Sequence, residues 1–250
     1  MIPKIIHYCW LSDDPIPENL QNYMKSWKEK LPDYEFILWN FKRFEKSSSQ
    51  WVSQAFDNKK YAFAAYYIRL FAVYNFGGFY LDMDIQVLKS FNGLLNNELC
   101  LAFENDEKTG IEAGCFGAEK GNKIIGECLD YYKNRSFIKS DGSFDTLPLP
   151  KIMYKYISKH PELEIFEKDY FTAKSFETGQ IEKTDRTFSI HHFAGSWLED
   201  WEKQVLLNKE KIHSKIKPVF FAKVIFAFYS FFTRFIKTGI NKTLEYYKIK

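Results

Sequence analysis

One segment of the sequence joins a long helix, a turn and a strand that leads into two acidic residues. The stretch 58–76 is rich in alanine and aromatic residues and favours a helix, which the glycine pair that follows it would end. The apolar residues 79–81 then predict a buried strand, and Asp82 and Asp84 come directly after them. Because side chains two residues apart on a strand share a face, we expect both carboxylates to point together at one edge of a sheet.

The remainder of the first two hundred residues alternates between strand-like and helix-like stretches. Further strands are predicted at 4–10, 34–39, 99–104, 115–118, 164–166 and 187–191, and further helices at 17–30, 122–132, 150–158 and 198–216. This alternation is typical of an α/β fold, with a mostly parallel sheet covered by helices on both faces. We therefore expect one large domain over residues 1–217 and a separate helical tail over residues 218–250.

The two carboxylates have the chemistry of a cation site. Open α/β sheets bind ligands beyond the carboxyl ends of their strands, and Mg²⁺ and Mn²⁺ take oxygen ligands together with substrate phosphates. Acidic residues two apart are common on surfaces, but here Arg69 on the preceding helix is placed to reach the same edge, and Leu81 and Met83 make the surroundings apolar. The segment therefore predicts a site for a metal ion and a diphosphate at Asp82 and Asp84.

Several motifs together resemble one enzyme family. Residues 61–69, Tyr-Ala-Phe-Ala-Ala-Tyr-Tyr-Ile-Arg, and 77–84, Gly-Gly-Phe-Tyr-Leu-Asp-Met-Asp, look like the sugar-nucleotide-binding region of D-x-D glycosyltransferases. The sequence is most similar to glycosyltransferase family 32 of the bacterial capsular-polysaccharide type, with further matches at 2–10, 114–121 and 191–197 in family order. The resemblance implies a GT-A-like, Rossmann-like fold. It also implies metal-dependent, retaining transfer from a UDP-sugar to a saccharide or lipid-linked acceptor.

The resemblance also implies roles for individual residues. Asp82 would contact the ribose and the donor sugar, and Asp84 would bind the metal, Mn²⁺ or Mg²⁺, directly. The other implied donor contacts are Trp10 on the base, Tyr80 near the nucleoside, Arg69 at the sugar or phosphate, and Ser196 and Trp197 over the diphosphate. For Trp197, ordinary core packing is an equally serious interpretation.

Two adjacent histidines are alternatives for one further metal ligand. The stretch His192-Phe-Ala-Gly195 resembles the H-x-x-G of related transferases, in which an imidazole completes the metal shell. We favour His192 over His191, and the choice depends on register, because a slip of one residue turns a strand side chain to the opposite face.

One position departs from the family pattern. Relatives usually carry Ala-Ser-Asp-Tyr-x-Arg on the helix, whereas this chain has Ala-Ala-Tyr-Tyr-Ile-Arg, so Tyr66 stands in place of an expected sugar-binding aspartate. A phenol cannot reproduce the acceptor-only hydrogen bonding of a carboxylate. A weakened or non-catalytic binding module is therefore the alternative to an active transferase. Glu104, Asp106 and Glu112 are other carboxylates that could contact sugar hydroxyls or remain solvated loop charges.

The C-terminal tail differs from the rest of the chain in charge and in aromatic content. Residues 203–250 have a net charge of +9 and residues 1–202 one of −6, which together give the overall +3. Seven of the 25 phenylalanines lie between 220 and 235. On a helix, a polar stripe is formed by Lys223, Ala227, Ser230, Arg234, Lys237 and Asn241, opposite Phe221, Val224, Phe228, Phe231, Phe232 and Phe235. Such a basic amphipathic helix is typical of a membrane interface. Packing on the body or on another subunit is the alternative.

Composition and missing motifs exclude several other classes. A net charge of +3 lacks the strong basic bias of a nucleic-acid binder, and no G-x-S-x-G, P-loop or G-x-G-x-x-G motif occurs. The four cysteines show no C-x-x-C spacing, and no secretory signal is evident after Met1. We therefore expect a cytoplasmic protein that binds peripherally to the inner face of the cell membrane.

Overall fold

A computed structural model describes the chain except for residues 177, 196–199, 217–218 and 249–250. The strands are β1 (Ile5–Cys9), β2 (Glu35–Trp39), β3 (Gly78–Leu81), β4 (Ile85–Val87), β5 (Leu99–Cys100), β6 (Cys115–Ala118) and β7 (Ser189–His191). The helices are α1 (Glu18–Lys30), α2 (Gln50–Asp57), α3 (Tyr61–Phe76), α4 (Lys123–Asp130), α5 (Leu149–Ile157), α6 (Asp200–Lys215), α7 (Val219–Thr238) and α8 (Ile240–Lys248). The described residues form two compact units, one of residues 1–173 and 182–193 and one of residues 174–181 and 194–250.

The first unit is built on a five-stranded sheet with the strand order β2-β1-β3-β6-β5. Strand β1 runs parallel to β2 and β3, whereas β6 runs antiparallel to β3 and β5. The predicted α/β class is confirmed, but the sheet is mixed rather than mostly parallel. The reason is the connection: a parallel pair needs a long crossover, usually a helix, and residues 82–114 contain no α-helix.

Helices cover the two faces of this sheet. Tyr8 of β1 makes an edge-on contact with Trp27 of α1, at 5.6 Å between ring centroids. The neighbouring His7 points to the opposite face, where it donates a hydrogen bond of 2.8 Å to the carbonyl of Gly77 at the end of α3 and accepts one of 3.0 Å from Trp39. Burial lowers the pKa of His7 to about 4, so this imidazole is neutral and joins the end of α3 to the first two strands.

The glycine pair at the end of α3 makes the turn that delivers β3. Gly77 and Gly78 have φ angles of 68° and 100°, which only glycine adopts without strain. A Cβ atom on Gly78 would lie 2.6 Å from the carbonyl oxygen of Ile5 on the neighbouring strand. Glycine is therefore needed both for the turn and for the close approach of β3 to β1.

Most predicted elements of the first unit are present within one or two residues, and the differences are at short or irregular segments. The predicted strand at 99–104 is shortened to β5, and the one at 164–166 is reduced to a single bridge between Ala102 and Phe166. Helix α2 and strand β4 were not predicted. Helix α2 begins after Ser49, whose side chain accepts a hydrogen bond from the backbone N–H of Val52 and so caps the helix.

The second unit consists of α6, α7, α8 and a short segment at 174–181. Helix α6 contacts α7 through a hydrogen bond from Asn208 to the hydroxyl of Tyr229, and α8 contacts α7 through one from Tyr247 to Ser230. In this division α6 groups with α7 and α8, and the domain boundary at 217 and 218 stays a prediction. Within the described ranges, no helix has the length and hydropathy needed to cross a membrane.

Candidate active site

The two acidic residues of the D-x-D motif lie in the turn between β3 and β4, rather than on a strand as the sequence predicted. The backbone N–H of Asp82 donates a 2.7 Å hydrogen bond to the carbonyl of Gly114, and its carbonyl accepts one of 3.0 Å from Ile85. This tight turn still directs both carboxylates to one place. One oxygen from each of Asp82 and Asp84, together with a ring nitrogen of His191, lie within 4.8 Å of one another.

Pairing of β4 with β7 brings the distant histidine to this turn. His191 lies opposite Ile85 in the antiparallel register, and its Nε2 is 3.5 Å from Oδ1 of Asp84. The next residue, His192, points elsewhere: its Nε2 lies 3.0 Å from the side-chain oxygen of Gln86, and its ring stacks on Tyr23. The structure thus brings the ring of His191, rather than that of His192, to the carboxylates, because the register of a three-residue strand decides which histidine faces them.

Arg69 and Tyr80 hold Asp82 in place. The guanidinium of Arg69 donates two hydrogen bonds to the two oxygens of Asp82, at 2.9 and 3.1 Å, and a third of 2.6 Å to the carbonyl of Ala113. The hydroxyl of Tyr80 donates to Asp82 at 2.9 Å. Both supporting residues are buried, with 4% and 1% exposure, whereas the side chain of Asp82 is 26% exposed. The structure thus gives Arg69 and Tyr80 supporting positions behind Asp82, rather than the surface that a nucleoside or phosphate contact would need.

A buried carboxylate behind His191 fixes the orientation of that ring. Both oxygens of Glu112 lie 3.1 Å from Nδ1 of His191. Glu112 also accepts hydrogen bonds from the backbone N–H of Gly114 at 2.5 Å and from the hydroxyl of Thr172 at 2.7 Å. With Nδ1 occupied in this way, Nε2 is directed toward Asp84. Hydrogen bonds of this kind set the tautomer and orientation of metal-binding histidines in proteins.

The electrostatics of this group follow from burial and from the mixture of charges. Burial works against ionisation of His191, but the carboxylates of Glu112 and Asp84 raise its pKa well above the usual range. Burial similarly opposes ionisation of Glu112, yet His191 and the hydrogen bonds to that carboxylate lower its pKa. Burial raises the pKa of Asp82 despite the neighbouring Arg69. A positively charged His191 between Glu112 and Asp84 therefore balances their negative charge.

Sequence reasoning placed Glu112 only among possible sugar contacts. The signal that could have found its role is its position two residues before Gly114 and β6, the strand that pairs with β3. Asp106, considered for the same contact, is exposed and ion-paired with Lys168 at 2.5 Å.

Trp10 and Tyr66, which the sequence also singled out, make contacts outside the group of Asp82, Asp84 and His191. Trp10 is half-buried just after β1, and its indole N–H donates a hydrogen bond of 2.8 Å to the carbonyl of Asp14. Part of its ring is exposed and could contact a base. The ring of Tyr66 lies beside Arg69, at 5.3 Å from its guanidinium. Ser196 and Trp197 lie outside the described residues.

Glu104 titrates in an unusual range. Burial, followed by the nearby charge of Glu112, raises its pKa to about 7. A group with a raised pKa in the folded state stabilises the fold below its unfolded pKa, and this contribution is lost as pH rises through the folded value. The protonated side chain of Glu104 therefore stabilises the folded state at low pH, and this contribution to the unfolding free energy is lost as pH rises through about 7.

This shift predicts a pH-dependent difference between the wild-type protein and Glu104→Gln. The wild-type protein should lose roughly 1–3 kcal/mol of unfolding free energy relative to the variant between about pH 5 and pH 8. Urea unfolding of the metal-free proteins measures this difference. Glu107→Gln, an exposed change in the same loop, is the control and should track the wild type. A constant difference between wild type and Glu104→Gln would contradict the prediction.

Comparison with known proteins identifies the region that carries Arg69, Asp82 and Asp84. Residues 17–101 match the family model described as the glycosyltransferase sugar-binding region containing the DXD motif. Inositol phosphoceramide mannosyltransferase 1 of Schizosaccharomyces pombe is 32% identical over 182 residues, covering 70% of this chain and 51% of the relative. Mannosyl phosphorylinositol ceramide synthase SUR1 of Saccharomyces cerevisiae is 27% identical over 197 residues, covering 73% and 51%.

A further relative, inositol phosphoceramide mannosyltransferase 3 of Schizosaccharomyces pombe, is 30% identical over 128 residues, covering 50% of this chain and 35% of that protein. The chain therefore spans about half the length, or less, of these curated relatives. All three are yeast proteins, so the bacterial capsular type stays a prediction.

A solved structure shows the fold. The PaToxG glycosyltransferase superposes with a TM-score of 0.51 at 19% sequence identity, covering 64% of this chain and 70% of the other. This similarity confirms the GT-A architecture. The matched region and the yeast relatives support a glycosyltransferase sugar-binding region of the DXD type in this chain, as its resemblance to glycosyltransferase family 32 implied.

Proposed function

We propose that this chain transfers a sugar from a nucleotide-sugar donor to a hydroxyl of a saccharide or lipid-linked acceptor, using a divalent cation. The observation that supports this most strongly is the convergence of Asp82, Asp84 and His191 within 4.8 Å at the carboxyl end of β3. Ligands of open α/β sheets bind at this position, and the mixed oxygen and nitrogen donors are compatible with a divalent transition-metal ion such as Mn²⁺.

The residues present fit a divalent cation. Ligands about 2.0–2.6 Å from one ion lie within roughly 5 Å of each other, which is the spacing of these three side chains. Imidazole among the donors favours Mn²⁺ over Mg²⁺, since magnesium prefers oxygen ligands and water. When bound, the cation would supply Lewis-acid stabilisation of the charge on the departing nucleotide diphosphate.

The protein side chains divide the remaining tasks. Asp84, His191 and one oxygen of Asp82 would provide the cation ligands, and Asp82 in addition accepts three hydrogen bonds from Arg69 and Tyr80. This leaves Asp82 rigidly held with one partly exposed edge, which suits an acceptor for ribose or sugar hydroxyls. The buried Arg69 would act on the donor through Asp82, and its direct contact with the donor stays a prediction.

Donor and acceptor are proposed by class. The resemblance implies a UDP-sugar, whereas the names of the yeast relatives specify a mannosyl group, so both kinds of donor belong in the test. Those names also specify an inositol phosphoceramide as acceptor. This supports a lipid-borne acceptor more than a free saccharide, and a location at the inner face of a membrane is proposed with it.

A panel of UDP- and GDP-sugars tests the proposal. We expect Mn²⁺-dependent release of nucleotide with one donor, and an α-configured donor should give an α-linked product if the reaction retains configuration. Binding of nucleotide without release across the whole panel would instead support the non-catalytic alternative that Tyr66 raises. In that case Tyr66→Asp, which restores the family's usual residue, should recover turnover.

Gly114 is expected to tolerate no side chain. A Cβ atom there would lie 2.8 Å from Cε1 of His191, 2.9 Å from Oε1 of Glu112 and 3.0 Å from Oδ2 of Asp82. Gly114→Ala should therefore displace the cluster and reduce turnover by about 10- to 100-fold, the effect typical of disturbing residues behind a metal site.

The matched control is Gly93→Ala, where an added Cβ would meet no atom within 4 Å. Kinetics and Mn²⁺ affinity should both remain near wild type in this control. Equal activity of the two variants would show that the packing around Gly114 does not support the site.

A further inference from the structure

The second unit presents an apolar surface that its own packing does not use. The side chains of this surface, which we call the α7 face, are 38–76% exposed. They are Val224, Ile225, Phe228, Phe232, Phe235 and Ile236. Placed at 100° per residue, these six positions occupy an arc of roughly 120° on one side of the helix. Helix α8 adds two further exposed apolar side chains to this unit, Ile240 and Leu244, at 46% and 44%.

The other side of α7 is already occupied by its neighbours. Ala222 is fully buried, and Ser230 accepts a hydrogen bond from Tyr247 on α8. Arg234 lies 3.7 Å from the ring of Tyr246 and 3.4 Å from a carboxylate oxygen of Glu202. Two members of the predicted polar stripe thus hold the three helices together. The exposed part of the helix is consequently more apolar than the sequence pattern indicated.

The positive charge of the three helices indicates what kind of surface the α7 face binds. Exposed lysines lie on all three helices, at Lys211, Lys215, Lys237 and Lys242. The sequence from residue 203 onward carries a net charge of +9. A second copy of this chain would bring the same positive charge against itself, whereas anionic lipid offers both an apolar interior and a negative surface. Electrostatic complementarity therefore favours a lipid surface over self-association.

We propose that the α7 face lies in the interface of an anionic lipid surface, with its phenylalanines in the acyl boundary and the surrounding lysines at the headgroups. Helices with a strong apolar face and a basic surround bind in this manner without spanning the bilayer. This deepens the proposed function by naming the surface at which a lipid-borne acceptor is met. Lipid binding itself requires neither donor nor metal, so it can be tested separately from sugar transfer.

The test is flotation of the full chain with vesicles of phosphatidylcholine alone and of phosphatidylcholine with about 30% phosphatidylglycerol, without donor or cation. We expect binding at least about tenfold tighter to the anionic vesicles, weakening as salt is raised. The double variant Phe228→Ser and Phe232→Ser should lose at least about tenfold of that affinity. Both side chains are exposed, at 63% and 55%, so the fold should be retained, and the unfolding transition checks this.

Matched controls lie on the first unit. Leu147→Ser changes an apolar side chain that is 38% exposed, and it should leave vesicle binding unchanged. Lys237→Glu with Lys242→Glu should weaken binding to anionic vesicles, whereas Lys133→Glu, an exposed lysine of the first unit, should not. Wild-type binding by the phenylalanine variant would overturn the proposal. The proposal would also fail if light scattering showed that the wild-type protein is a dimer and the phenylalanine variant a monomer, and if neither protein bound vesicles.

Discussion

Asp84→Asn is expected to reduce turnover by about 10²- to 10³-fold, because it removes the charge of a proposed cation ligand at nearly constant volume. The side chain of Asp84 is 15% exposed, and its Oδ1 faces Nε2 of His191 at 3.5 Å. An amide can still occupy this place, but it binds a divalent cation far less tightly than a carboxylate does. Nucleotide release from the best donor, measured across a Mn²⁺ titration, gives both the rate and the apparent metal affinity.

The control for this substitution is Asp106→Asn. Asp106 is exposed and paired with Lys168 outside the cluster, so the same chemical change there should leave both quantities within about twofold of wild type. If Asp84→Asn kept its turnover and its Mn²⁺ dependence, the D-x-D turn would not be the cation site.

Arg69→Met is expected to cost about 3–5 kcal/mol of unfolding free energy, the loss typical of removing one partner of a buried ion pair. Arg69 is 4% exposed, and its guanidinium donates one hydrogen bond to each carboxylate oxygen of Asp82. Without it, Asp82 would keep a poorly solvated charge or take up a proton. Equilibrium denaturation measures the loss, and adding Asp82→Asn to Arg69→Met should recover a large part of it.

Arg135→Met provides the matched ion-pair control. Arg135 contacts Asp145 at 2.7 Å, close to the 2.9 Å of the Arg69 pair, but its side chain is 40% exposed. Screened pairs of this kind contribute about 0–1 kcal/mol. If the two variants lost the same unfolding free energy, burial of the Arg69–Asp82 pair would contribute nothing to stability. Arg69 would then not be what holds Asp82 in place.

The sequence predicted the framework of the first unit because local patterns determine it. The apolar run of β1, the helix that ends at the glycine pair and the D-x-D residues after β3 are all encoded within a few neighbouring positions. Direction in the sheet is not encoded in this way. Strand β6 runs antiparallel because no helix precedes it after β3, and a pattern of alternating elements does not reveal that connection.

The site itself was only partly predictable. Asp82 and Asp84 follow from their motif, but the choice of His191 depends on which residue of β7 pairs with Ile85. Glu112 is more than 75 residues from His191 in sequence, so only the tertiary structure shows their hydrogen bond. Local patterns could not supply either contact.

The tail shows a different limit of sequence reasoning. A single amphipathic helix was predicted with Ser230 and Arg234 on its solvent side, but those two residues contact α8 and α6. Periodicity identifies which residues share a face. It does not say which face a neighbouring helix will cover when the chain turns back at Gly239, where φ is 80°.

The most direct test of the central claim is Mn²⁺ binding, measured by electron paramagnetic resonance, in His191→Gln and His192→Gln with saturating nucleoside diphosphate. The two variants make the same chemical change at adjacent positions; the ring of His191 faces the carboxylate of Asp84, and the ring of His192 faces the side chain of Gln86. The site described here predicts at least about tenfold weaker Mn²⁺ binding in His191→Gln and unchanged affinity in His192→Gln. Equal affinities in both variants, or a loss confined to His192→Gln, would contradict a cation site built from Asp82, Asp84 and His191.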